Sequence, residues 1–360
     1  MPKKNRWFFK FLSAILSMGI ILSALAVAGA LHFNSPPGKP PRPNENAMRM
    51  EDGLLFLEIR SGESAHSAGQ RLENAGVIRS RYFWNLLFRL DNEQIKTGTY
   101  RIALPATQME IRSTLVKGAQ LLVRVTIPEG VTLKKTAAII AEAGICSAED
   151  FLAAANSREI INAYNVPGNS MEGYLFPDTY LFPLGYPASR VVTAMADTFF
   201  RRLRDIAPEA LGSQPSGRAM SPAELNNKVI LASIVEREYR LSEEAPLIAG
   251  VFDNRLRIGM ALQSCATVEY VITEILGRPH PEVLYNRDIE IRDPYNTYLR
   301  PGLPPGPISA PGEIALRAAF NPESSSYLYF RLIDARSGRH YFSRTLDDHI
   351  RAGSLFVKGR

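Results

Sequence analysis

The sequence predicts an α+β protein in three parts: an N-terminal transmembrane helix, a small α+β module and a larger mixed α/β domain. Three observations carry this. Residues 11–31, FLSAILSMGIILSALAVAGAL, contain no charge and approach the roughly 20 apolar residues a helix needs to cross a bilayer. A strand–helix–helix–strand pattern then fills about fifty residues, the outline of a small two-layer unit. The remainder mixes strand-like and helical segments, and 360 residues at 46% hydrophobic and 22% charged composition suffice for two folded cores.

Taken in order, Lys3, Lys4, Arg6 and Lys10 form a basic tail over residues 1–10 with no acid among them. Setting them aside lowers the formal net charge from +6 to +2, too little to leave a nucleic-acid footprint, so nucleic-acid binding is not expected. The cations precede the apolar run and only His32 follows it closely. The positive-inside rule therefore keeps the N-terminus in the cytoplasm, runs residues 11–32 through the membrane and exports the rest. Ala28-Gly29-Ala30 resembles a signal-peptide cleavage site, but the apolar run exceeds the ~7–15 residues usual for a signal peptide, which favours a retained anchor. Residues 33–50 follow as a proline-rich linker, extended and semi-rigid, expected to lift the folded part away from the bilayer.

The module spans residues 51–120. Residues 54–60 read as a strand, 65–75 as a helix, 81–90 as a second, aromatic-rich helix, and 97–102 as a turn into a short strand. The larger domain, residues 121–360, opens with a strand at 122–127, and Pro128-Glu129-Gly130 turns it into a helix reaching Ala143. Helices follow at 148–155 and 188–206, then a flexible break at 212–217. Ser221 as N-cap, Pro222 at the first helical position and Glu224 closing a capping box start a helix that runs to about Arg240. Cys146 and Cys265 have no metal spacing and read as two separate buried thiols, with a disulfide as the alternative. His32, His66, His280, His340 and His349 are scattered without ligand spacing, so neither a metal nor another cofactor is expected. No internal repeat is evident.

The helix begun at Ser221 carries the chemistry. Its run Leu231-Ala-Ser-Ile-Val-Glu-Arg-Glu-Tyr239 takes Glu236 and Glu238 into apolar surroundings. Burying a carboxylate is costly unless it is paired or used, and an acid so held has the raised pKa that a general acid near neutral pH requires. At about 100° per residue, Glu238 shares a face with Leu231, Ile234 and Val235, while Glu236 lies roughly 160° away beside Val229 and Ala232. Asn226, Ser233 and Arg237 make a narrow polar edge. The two glutamates thus cannot share one site as acid and base. One is expected to be catalytic and the other structural, bonded to a backbone end or to an arginine such as Arg255 or Arg257; periodicity does not say which. The alternative makes both satisfied ion pairs beneath a loop.

Polar-aromatic clusters surround this helix in the sequence: Glu172-Gly-Tyr-Leu-Phe-Pro-Asp-Thr-Tyr180, Asn254-Arg-Leu-Arg-Ile-Gly-Met-Ala-Leu-Gln-Ser264, and Tyr295-Asn-Thr-Tyr298 before the rigid loop Pro301-Gly-Leu-Pro-Pro-Gly-Pro307. Tyrosines beside Asn, Gln and Thr suit a sugar-binding groove, where rings stack and hydroxyls need partners. The competing reading is half-buried core and connecting scaffold.

These segments resemble one family, the endolytic murein transglycosylases of the MltG (YceG-like) type. Ala232-Ser-Ile-Val-Glu-Arg-Glu238, Val251-Phe-Asp-Asn-Arg-Leu-Arg-Ile-Gly-Met-Ala-Leu-Gln263, Ala319-Phe-Asn-Pro322 and Tyr327-Leu-Tyr-Phe330 carry the resemblance with the clusters above. Ser61-Gly62 and Gly98-Thr-Tyr-Arg101 resemble that family's LysM-like subdomain. The resemblance implies that Glu238 is the catalytic acid. Tyr174, Asp178, Gln263, Tyr295, Asn296 and Tyr298 are the candidate glycan contacts, and Glu172 is a substrate-site candidate that either helps orient the site or is structural. The resemblance also implies cleavage of the bond between N-acetylmuramic acid and N-acetylglucosamine within peptidoglycan strands, leaving 1,6-anhydro ends and terminating nascent strands. Peptidoglycan synthases of the cytoplasmic membrane are the protein partners it suggests. One departure is visible: Cys265-Ala266 stand where the family usually has Asp-Pro, so no role of that aspartate carries over.

Overall fold

The first helix, α1 (Lys4–Asn34), contains no proline and ends just before Pro36 and Pro37. Its stretch Lys10–Asn34 is long and apolar enough to cross a membrane, and none of that stretch is buried. The computed structural model describes residues 4–42, 48–60, 62–91, 93–212, 219–334 and 336–356. Pro43, Ser61 and residues 213–217 of the expected break lie outside them.

The chain forms two compact units: Met1–Leu122 with Pro183–Gly185, and Val123–Phe182 with Tyr186–Arg360. In the smaller, β1 (Met48–Glu51), β2 (Leu54–Ile59) and β3 (Gly98–Ala103) make an antiparallel sheet in that order. β1 falls inside the stretch expected to be linker. It exists because Asp52 and Gly53 both take positive φ, 47° and 76°, the left-handed pair a two-residue hairpin requires. Leu55, Leu57 and Ile59 alternate inward along β2. They meet Leu72 of α2 (Ala65–Asn74), Trp84 of α3 (Arg81–Asp91) and Ile111 and Leu115 of α4 (Gln108–Lys117). Ser64 caps α2, and Thr107 with Glu110 forms a capping box on α4. The proline-rich stretch does not stand off as a spacer: Arg79 donates to the Pro36 carbonyl at 2.7 Å and the Arg42 N–H to that of Ala75 at 2.8 Å.

The larger unit begins with β4 (Leu122–Thr126), which pairs with β5 (Thr179–Pro183). Between them lie α5 (Leu133–Glu142), α6 (Ala148–Ala155) and α7 (Arg158–Ala163); α8 (Ala188–Ile206) follows. The centre is α9 (Pro222–Glu238), started by the expected signals: the Glu224 N–H donates to Ser221 Oγ at 3.2 Å, and the Ser221 N–H to the Glu224 carboxylate at 2.7 Å. All residues from Val229 to Val235 are buried, as a helix enclosed on every side requires. α9 packs against α10 (Ala245–Arg257), α11 (Cys265–Tyr270) and α13 (Glu313–Phe320). A π-helical turn at Val271–Ile275 extends α11, and α12 (Asn286–Ile289) is a single turn. The hairpin β6 (Tyr329–Asp334) and β7 (Arg339–Ser343) and the helix α14 (Leu346–Phe356) close the unit. Ser233, on the polar edge of α9, straps down the Pro/Gly loop: its hydroxyl accepts from the Ile308 N–H and its carbonyl from Ser309 Oγ, each at 3.0 Å.

Gly250 lets the chain leading into β6 lie directly on α10. The Glu323 N–H donates to the Pro246 carbonyl at 2.9 Å, and a Cβ at Gly250 would sit 2.2 Å from the Glu323 carbonyl oxygen. The obstacle is backbone and has no rotamer to yield. Gly250→Ala is predicted to destabilise the protein by about 2 kcal/mol through overpacking, although alanine favours helix by about 1 kcal/mol. Thermal melting of the detergent-solubilised chain checks this; an unchanged or raised Tm contradicts it.

Candidate active site

Glu238 is the last residue of α9, where rigid helix gives way to extended backbone at Tyr239 (ψ 151°). Its half-buried carboxyl lies in a cleft of about 520 Å³ whose walls come from α9, α10, the turn at 262–265 with Tyr298, and the β6–β7 hairpin. A larger cavity of about 750 Å³ runs along the first half of α9 at Asn226, Ile230 and Leu303. That cavity contains none of Glu172, Glu236 and Glu238, the three carboxyls that burial pushes upward among the described residues.

Ser264 donates its hydroxyl to the Glu238 carboxyl in a very short hydrogen bond. Its own backbone is tied down on both sides. The Ser264 N–H donates to Thr297 Oγ1 at 3.1 Å, and its carbonyl accepts from Thr267 Oγ1 at 2.7 Å. Beside it Gln263 adopts φ 51°, an uncommon left-handed conformation for a residue with a Cβ, with its N–H bonded to the Thr297 carbonyl at 3.1 Å. Burial raises the Glu238 pKa and the Glu269 carboxylate raises it further, while the Ser264 hydroxyl, His340 and Arg237 pull it down. The net direction is upward, because burial disfavours the charged form of the carboxyl.

Arg255, buried on α10, joins three walls of this cleft. Its Nε donates to the Leu328 carbonyl at 2.6 Å and its Nη1 to that of Leu262 at 2.7 Å, and the guanidinium stands 5.1 Å from the Tyr329 ring centroid. His340 Nδ1 and Glu244 approach to 2.7 Å, fixing the hairpin. Cys265 and Cys146 are both free thiols. Cys265 is not buried as expected: it is exposed at the cleft, 3.2 Å from the Tyr298 hydroxyl.

The two glutamates separate as the helical spacing requires. Glu236 accepts the Gly312 N–H at 2.8 Å, at the start of α13, and burial pushes its pKa up to about 7. Its anchor is therefore a backbone end and neither Arg255 nor Arg257.

Of the expected glycan contacts, Gln263 and Tyr298 line the cleft with Glu238. Tyr295 packs on Tyr270 with centroids 5.0 Å apart, and Asp178 pairs with Arg202 at 3.6 Å; neither is a cleft residue. Three others are enclosed by protein. Tyr174 is 1% exposed, with its hydroxyl bonded to Asn226 Oδ1 at 2.9 Å. Asn296 is 0% exposed and donates to the carbonyls of Ile289 and Ile291 at 2.8 Å. Glu172 accepts the Leu133 N–H at the start of α5 with both oxygens, at 3.0 Å, and burial pushes its pKa up to about 8. These side chains hold framework and offer no surface to a ligand. Sequence reasoning gave no role to Ser264, Tyr329 or His340. Ser264 had a local signal, since it stands directly before the first turn of α11.

Comparison with known proteins agrees with this architecture. The sequence profile of the YceG-like family matches residues 57–354. A protein of Bacillus subtilis named endolytic murein transglycosylase is 27% identical over 322 residues, covering 84% of this chain and 85% of the relative. A Streptococcus pneumoniae protein of the same name is 27% identical over 328 residues, covering 82% of this chain and 57% of its own length. Among solved structures, a yceG-like protein from Listeria monocytogenes superposes with a TM-score of 0.54 at 29% identity, over 83% of this chain and 98% of that one. With its family match extending from β2 into α14, the chain belongs to the YceG-like family.

Proposed function

We propose that this protein is an endolytic lytic transglycosylase of peptidoglycan with Glu238 as its catalytic acid and base. The observation that carries the reading is a single carboxyl, raised by burial and held by Ser264, at the rigid end of α9 in an open cleft. Relatives named endolytic murein transglycosylase support the substrate class. Most glycosidases need two carboxyls, one to protonate the leaving oxygen and one to act as nucleophile or activate water. Here Glu269 is the other carboxylate whose charge acts on Glu238, and it is bonded to Arg237 at 2.8 Å. One group can serve twice when the substrate supplies the nucleophile. Protonated Glu238 gives its proton to the glycosidic oxygen as the C1–O bond of N-acetylmuramic acid breaks. The resulting carboxylate takes the proton of the same sugar's C6 hydroxyl as O6 closes on C1. The 1,6-anhydro end forms, Glu238 is protonated again, and no water is consumed. Effective molarities on the order of 10⁵ M or more are available to such intramolecular attack.

Gln263 and Tyr298 are the glycan contacts this reading favours. α1 serves as a single membrane anchor with the N-terminus in the cytoplasm and the chain after α1 outside, where the enzyme ends nascent strands beside membrane synthases. The smaller unit acts as a LysM-like module.

Glu238→Gln is predicted to lower turnover about 10²- to 10⁴-fold while leaving the Tm and the retention of glycan strands unchanged; activity near the parent level removes Glu238 from the chemistry. Ser264→Ala tests the electrostatics. The Ser264 bond favours the carboxylate, so its loss raises the pKa and keeps Glu238 protonated to higher pH. The basic limb of the pH–rate profile is predicted to move to higher pH, and a limb that stays or moves down contradicts the assignment.

A further inference from the structure

Helix α3 of the smaller unit carries an apolar face turned away from its own core. Trp84 and Phe88 point inward and are buried. At about 100° per residue the opposite side holds Tyr82, Leu86 and Leu90, which are 72%, 49% and 71% exposed. Single exposed apolar residues are ordinary, but a continuous stripe at i, i+4 and i+8 marks a surface that something covers. Cations flank it: the Arg81 guanidinium stands 5.1 Å from the Tyr82 ring centroid, and Arg89 is exposed in the last turn.

The end of α1 indicates what covers it. Phe33, in the last turn of α1, stacks on Phe83 of α3 with centroids 6.4 Å apart. Gln108 Nε2 donates to the Phe33 carbonyl at 2.8 Å, and the Met109 N–H donates to Asn34 Oδ1 at 2.9 Å. Arg79 then holds the Pro36 carbonyl. The apolar helix therefore ends stacked on the first turn of α3 and hydrogen-bonded to the first turn of α4, with no free spacer between. Met109, at this joint, is itself 53% exposed. An apolar stripe that starts beside the ring touched by the last turn of a membrane-spanning helix is continuous with the surface that helix leaves.

We propose that the Tyr82–Leu86–Leu90 face of α3, with Met109, rests on the lipid surface where α1 leaves the bilayer, Arg81 and Arg89 meeting the headgroups. This rests on the reading of α1 as a membrane anchor. Aromatic and aliphatic side chains enter the interface while arginines reach the anionic headgroups, the usual chemistry of an interfacial helix. The smaller unit is then fixed at the membrane, and whatever it binds is bound there.

The test uses the full chain with Cys146→Ser and Cys265→Ser, reconstituted in vesicles of phosphatidylethanolamine and phosphatidylglycerol. An environment-sensitive fluorophore is attached at Leu86→Cys, Leu90→Cys, Leu22→Cys within α1, or Lys117→Cys at the far end of α4. Spin-labelled lipids are expected to quench the probe at positions 86, 90 and 22, with blue-shifted emission, and to spare position 117. Quenching at 22 but not at 86 or 90 leaves the anchor standing and overturns the proposal. A blue-shifted but unquenched probe at 86 and 90 means that protein covers the face, which also overturns it. No quenching at 22 removes the anchor and the proposal together.

Discussion

The structure turns on the burial of a carboxyl at the end of α9. Burial pushes the Glu238 carboxyl upward, and the Ser264 hydroxyl, with His340 and Arg237, pulls the other way. A hydroxyl donor favours the carboxylate without a full opposite charge, which suits the proposed role of a group that gives and recovers a proton in one cycle. Everything near it serves to hold that one contact. Thr297 and Thr267 fix both backbone groups of Ser264, Arg255 fixes the carbonyl of Leu262 two residues earlier, and the left-handed turn at Gln263 aims the segment into the cleft.

The clamps share a logic. Arg255 and Asn254 donate to backbone carbonyls of the chain leading into β6, at Leu328, Ser325 and Tyr327, and Arg255 also to that of Leu262. Glu172 and Glu236 accept from backbone N–H groups where α5 and α13 begin. Buried polar groups here satisfy backbone ends that would otherwise be orphaned.

This logic also explains what the sequence could reveal. The start of α9 was legible because its capping residues act within one turn, and the opposite placement of Glu236 and Glu238 follows from helical geometry alone. The β1–β2 hairpin was equally local, signalled by Asp52-Gly53, but β1 had been absorbed into the proline-rich stretch before it. The bond from Ser264 to Glu238, the reach of Arg255 to Leu328 and the Glu244–His340 pair join distant segments, and no periodicity encodes them. Tyr174, Asn296 and Glu172 are ambiguous in sequence for a related reason: a polar or aromatic residue in a dense cluster looks the same whether it meets a sugar or a buried backbone group. Only the packing of α8 on Tyr174, or the carbonyls around Asn296, separates the two.

The account stands on one carboxyl performing both proton transfers, and the mass of the new chain ends tests it most directly. Detergent-solubilised full-length protein acting on purified glycan strands is predicted to release ends lighter by one water than those of hydrolysis, because the C6 hydroxyl and not water closes on C1. Hydrated ends would contradict the account, since they require a second group, with Glu269 the first to suspect, that activates water against the sugar.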